Sequence, residues 1–110
     1  MMSAATQRIR ELNDSLRSTL QGGRVFMTRG VQALGEVAVA TALTRMRTFS
    51  EFTADNDPHG EHDFGSFEIN GTTFFFKIDY YDPGMEGGSE NPSDPVQTTK
   101  VLTLMLASEY

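Results

Sequence analysis

The chain has 110 residues, no cysteine, 15 Asp or Glu against 9 Lys or Arg, and a formal net charge of −6. That length fits a single domain, 1–110, with a core large enough to do without disulfides or metal staples. Disulfide scaffolds, thiol catalysis and cysteine-ligated zinc are excluded, no apolar run is long enough to cross a bilayer, and with no signal sequence at the start the expected location is cytoplasmic.

In chain order, Ile9, Leu12, Leu16 and Leu20 recur at three- and four-residue steps and predict an amphipathic helix over about 4–20. Ser3 or Thr6 is expected to cap its start, and Gly22-Gly23 to supply the left-handed stop. Arg24–Thr28, closed by Gly30, reads as a short strand. A second helix is predicted over about 36–48, with Val39, Ala42, Leu43 and Met46 as its apolar stripe and Phe49 and Phe52 packing just beyond it. The polar segment 54–63 has no apolar anchor for regular structure and reads as a loop.

Asn70-Gly71 lies between two aromatic-rich runs, 64–69 and 72–81, and favours a two-residue type I′ hairpin. That turn sets Ile69 opposite Thr72 and Phe67 opposite Phe74, with Phe74, Phe76, Ile78 and Tyr80 on the expected core face. A Gly, Pro and Glu-rich loop follows over 82–92. Ser93 or Asp94, with Pro95 in the first turn, is then expected to cap a final helix whose stripe is Thr98, Leu102, Met105 and Leu106. The order α-β-α-β-β-α predicts an α+β fold, a small antiparallel three-stranded sheet with helices packed against it.

Two constellations bear on chemistry. The run Asp55 to Gly60 carries acidic residues at the first and third positions and glycine at the sixth of a calcium loop, but Ser66 stands where the bidentate glutamate is required, which argues against calcium. His59 and His62, with Asp57 and Asp79, form a candidate set for a divalent metal, since two histidines and a carboxylate make a known catalytic arrangement. Continuing the hairpin register sets His62 opposite Asp79, with Lys77 one step away. A His–Asp pair of that kind serves a general base, a metal's supporting shell or simply the anchoring of a loop. No phosphate-binding glycine loop, dinucleotide fingerprint, H-E-x-x-H or nucleophile elbow is present, so no catalytic residue is assigned.

The runs Asp55–Gly65 (DNDPHGEHDFG), Lys77–Asp82 (KIDYYD) and Val101–Tyr110 (VLTLMLASEY), with Ile9–Asp14 and Gly22–Gly30 nearer the start, resemble an uncharacterised bacterial domain family. The resemblance implies a bacterial setting, often on proteobacterial mobile elements, and supplies no established activity or catalytic residue.

Charge divides along the chain. Residues 1–50 hold seven Arg and three Asp or Glu, a net of +4, whereas residues 51–110 hold two Lys and twelve Asp or Glu, a net of −10. A net acidic chain opposes direct nucleic-acid binding, because phosphate contacts dominate that affinity. The expectation is a small non-enzymatic binding protein that covers a basic surface on a bacterial partner, such as a nucleic-acid-binding defence complex, as an anti-CRISPR-like inhibitor would. Its contact residues are Asp79, Asp82, Glu86 and Glu90, together with Phe64 and Phe75, which form an exposed apolar patch if helices leave the second sheet face open. The rival is a metal-dependent hydrolase or nuclease using the His59/His62 loop. No cofactor and no membrane contact is expected, and the oligomeric state stays open.

Overall fold

The computed structural model describes residues 2–110 and is α+β. Helix α1 (Ala4–Thr19) begins at Ser3, whose side chain accepts a hydrogen bond from the Thr6 N–H, and ends at Leu20, left-handed at φ 61°. The left-handed stop is therefore Leu20 itself rather than the glycine pair two residues on. Strand β1 (Arg24–Met27) and helix α3 (Glu36–Arg47) lie where the pattern predicts them, with a one-turn helix α2 (Arg29–Gln32) between them. The hairpin of β2 (Phe64–Ile69) and β3 (Thr72–Tyr81) has the expected register, with Phe67 opposite Phe74 and their rings stacked at 5.4 Å. Asn70 and Gly71 sit at φ 50° and 81°, the two positive values that a type I′ turn demands.

Two expectations are corrected by the C-terminal segment. The predicted final helix is instead strand β4 (Thr99–Leu106), followed by a short 3₁₀ turn (Ala107–Glu109). The sheet accordingly has four strands in the order β1-β4-β3-β2, and it is mixed, because β1 runs parallel to β4 while β3 and β2 are antiparallel to their neighbours. The reason is burial on both faces. Val101, Leu102, Leu104 and Met105 are all buried, so the strand reads as one apolar run, and periodicity alone cannot separate such a run from a buried helix. A central strand with β-branched Thr99, Val101 and Thr103 satisfies both neighbours' backbone groups, which a helix there would leave unpaired.

All three α-helices pack on one face of the sheet. Leu16 of α1, Val31 of α2, and Ala42 and Met46 of α3 join Phe67, Phe74, Phe76, Ile78, Leu102 and Leu104 in one buried cluster. The other face carries no α-helix. It carries Arg24, Phe26, Val101, Thr103, Met105, Phe75, Lys77, Asp79, Phe64, Ser66 and Glu68, among others, read from the alternation along each paired strand.

Candidate functional site

A polar cluster closes one end of the inner face, where α1 and the loop 48–63 meet β3 and β4. Asn13, fully buried on α1, donates to the Glu61 carbonyl at 3.0 Å and to the Tyr80 hydroxyl at 2.8 Å. Tyr80 in turn donates to Glu61 Oε1 at 2.7 Å. Lys100, only 4% exposed, donates to Asn13 Oδ1 and lies 5.0 Å from the centre of the Tyr80 ring. Burial pushes the Lys100 amine down to about 8, with Glu61 opposing, and pushes the Tyr80 phenol above its ordinary range, as does its bond to Glu61. Asp63 beside them is raised, again chiefly by desolvation. Every polar group of Asn13, Tyr80 and Lys100 thus has a partner inside the cluster, as buried polar groups require.

His62 lies beside this cluster. Its Nδ1 is 2.8 Å from Asp14 Oδ1 and its Nε2 3.7 Å from Asp57 Oδ2, while the ring stacks on Phe52 with centroids 3.8 Å apart. Asp57 also accepts the His62 backbone N–H, and Arg17 joins by donating to Asp14 at 3.1 Å and to the Phe49 carbonyl at 3.0 Å. The Arg17 guanidinium lies 5.2 Å from the Phe52 ring centre, and its Nε is buried without a partner. Burial lowers its pKa against the opposing pull of Asp14.

The expected pairing of His62 with Asp79 is corrected here. The extrapolated register assumes an unbroken strand, but His62 has φ 56°, which ends the alternation and turns its ring to the helix side. Asp79 stays on the other face and pairs with Lys77 at 2.8 Å, a contact that raises the lysine pKa. Of the candidate metal residues, Asp57 and His62 come together. His59 lines a cleft of about 450 Å³ between the start of α1 and the loop, with Arg10 and Asp57, and Asp79 lies outside the group. Among the described residues no group of three or more His, Asp or Glu could hold a metal ion. His62 ties the loop to α1 through Nδ1 and Asp14, while its Nε2 and ring face meet Asp57 and Phe52 of the loop itself.

Two other surfaces carry the remaining candidates. On the outer sheet face, Phe64 and Phe75 lie 5.1 Å apart, and Tyr110 stands edge-on to both at 6.1 and 5.6 Å. Phe26 on the edge strand β1 is 51% exposed. Beyond the sheet's end, the loop 82–98 carries Asp82, Glu86 and Glu90. Asp82 accepts the Glu86 N–H, and with Glu90, Pro83, Gly88 and the exposed Val96 it lines a hollow of about 260 Å³. None of the ion pairs among the described residues involves these three carboxylates.

Residues 27–109 match DUF3768, a family of proteins of unknown function. The chain belongs to that family. No curated protein and no solved structure matches it. The DUF3768 match takes in the whole sheet except the first residues of β1, the loop 48–63 and the acidic loop, whereas Asn13, Asp14 and Arg17 on α1 lie ahead of it. No helix of the described residues is long and apolar enough to cross a membrane.

Sequence reasoning missed Asn13, Asp14 and Arg17 as partners of the loop, and Lys100 as the buried partner of Asn13 and Tyr80. One signal was available: Lys100 opens an apolar run and is the only charge there, so a central strand has to give it a buried partner.

Proposed function

We propose that the protein is a small acidic binding protein without catalytic activity of its own, which lays the carboxylates of the loop between β3 and β4 on a basic surface of a bacterial protein. The partner of best fit is a nucleic-acid-binding defence complex, and the protein then acts as an anti-defence inhibitor of the anti-CRISPR kind, its carboxylates standing where phosphates would bind. The observation that carries this reading is the state of Asp82, Glu86 and Glu90. They share one loop around the exposed Val96, with no basic partner of their own among the described ion pairs. Unpaired charge of one sign steers an oppositely charged partner and sets its orientation. Asp79, paired with Lys77 through one oxygen, and Phe64 and Phe75 all belong to the sheet face, so the loop suffices for the contact.

The test is capture from a bacterial lysate on the immobilised protein, with DNA as competitor. The wild type should retain nucleic-acid-binding proteins that DNA displaces, and the variant Asp82→Lys/Glu86→Lys/Glu90→Lys should retain none of them while keeping its circular dichroism spectrum. Equal retention by both proteins, or retention that DNA does not touch, would overturn the reading.

A further inference from the structure

The outer face of the sheet has the pattern of a surface that pairs with a copy of itself. Strand β4 lies between β1 and β3, so a two-fold axis running along β4, midway between two stacked sheets, lays β1 of one protomer over β3 of the other. The observed register makes three rows cross the face: Arg24, Val101 and Asp79; Phe26, Thr103 and Lys77; then Met105 and Phe75. Under that axis Arg24 meets Asp79 of the second copy, and Phe26 comes down over Lys77, beside Phe64, Phe75 and Tyr110. Each contact occurs twice, as an isologous interface requires.

The chemistry of those positions agrees. Arg24 has no carboxylate partner among the described ion pairs, and Asp79 uses Oδ2 on Lys77, leaving Oδ1 to accept from a guanidinium. Phe26 is the most exposed aromatic ring in a strand, at 51%, and Phe64, Phe75 and Tyr110 form a three-ring cluster against which another ring can pack edge-on or offset. Arg24 and Lys77 balance Asp79 and Glu68, so this face is locally neutral in a chain of net charge −6. Self-association on it meets no net repulsion.

We infer that the protein forms a symmetric dimer through this face, a second copy of the chain being the occupant. The inference is independent of the proposed function, because the acidic loop lies beyond the sheet's end and stays free in both protomers. Under that axis β1, β4 and β3 of each copy face one another, and three strands about 4.8 Å apart give a face of at most roughly 15 by 26 Å, since β1 has only four residues. That is about half of the area per partner of a standard stable interface, so the dimer is a weak one that exchanges with monomer as concentration changes.

Sedimentation equilibrium over a concentration series, using the full chain, tests this. The wild type should approach twice 12.2 kDa as concentration rises. Arg24→Asp and Asp79→Arg should each stay monomeric, since each sets like charges against each other twice. An equimolar mixture of these two variants should associate again. The aspartate introduced at position 24 of one chain then meets the arginine introduced at position 79 of the other, and the unaltered Asp79 of the first meets the unaltered Arg24 of the second. Circular dichroism of each variant separates loss of pairing from loss of fold, and Phe26→Glu provides a third variant expected to remain monomeric. A wild type of 12.2 kDa at all concentrations would overturn the inference and leave the face to a different protein. A mixture that stays monomeric while the wild type dimerises would overturn this interface.

Discussion

At the scale of single residues, Gly65 shows how closely the core is built. A Cβ at this position would lie 2.3 and 2.4 Å from two atoms of the Phe76 ring, and Phe76 is fully buried under Phe49 and Phe52. The ring has no room to withdraw. Gly65→Ala should therefore lower stability by about 1–3 kcal/mol, the usual cost of overpacking, read as a drop in urea midpoint. Lys100 makes a prediction of a different kind. Its folded pKa of about 8 lies below the free value of 10.5, so between those values the unfolded chain holds a proton that the native state lacks. Stability then rises with pH, by up to ~1.4 kcal/mol per unit for one proton. Tyr80 acts in the opposite sense: its raised pKa keeps a proton in the native state that the unfolded chain releases from about pH 10 upward. Urea midpoints should climb from about pH 8 to 10 and then level or fall, and Lys100→Met should remove the climb while leaving the fall.

At the scale of elements, the hairpin was legible because its signal is local. Asn70-Gly71 permits the two positive φ values, and the turn length then sets every pair down to Phe67 and Phe74. Gly71 has open space where a Cβ would stand, so Gly71→Ala meets only backbone strain at φ 81° and should cost about 1–2 kcal/mol, measurable by thermal denaturation. The register stops short of His62, where one left-handed residue cancels the alternation and no nearby side chain announces it. Strand β4 was hidden for another reason. Its partners, β1 and β3, are distant in sequence, and a strand whose side chains are buried on both faces loses the alternation that marks a strand. Leu104 registers the difference directly: in the observed sheet it is buried between Met27 and Phe76, and Leu104→Ala should cost about 2–5 kcal/mol, a loss that equilibrium unfolding will detect.

At the scale of the whole molecule, the charged groups divide by whether the fold uses them, not by which half of the sequence they come from. Several of the arginines of residues 1–50 are spent on structure: Arg17 on Asp14 and Phe49, Arg10 on the Gly60 carbonyl, Arg47 on the Ser18 carbonyl. Asp82, Glu86 and Glu90 have no basic partner among the described ion pairs. Composition showed the acidic excess but could not show which carboxylates are used internally, since Asp14, Asp57 and Glu61 look the same in sequence as Asp82, Glu86 and Glu90. The helix-side pairings made that distinction, and they rest on contacts between α1 and a loop some 48 residues away. If the loop's carboxylates hold the partner as proposed, capture from the bacterial lysate depends on salt. Raising salt from about 0.1 M to about 1 M shortens the screening length from about 10 Å to about 3 Å. The retained nucleic-acid-binding proteins should fall away steeply across that range for the wild type, whereas retention that holds unchanged to the highest salt would contradict the account.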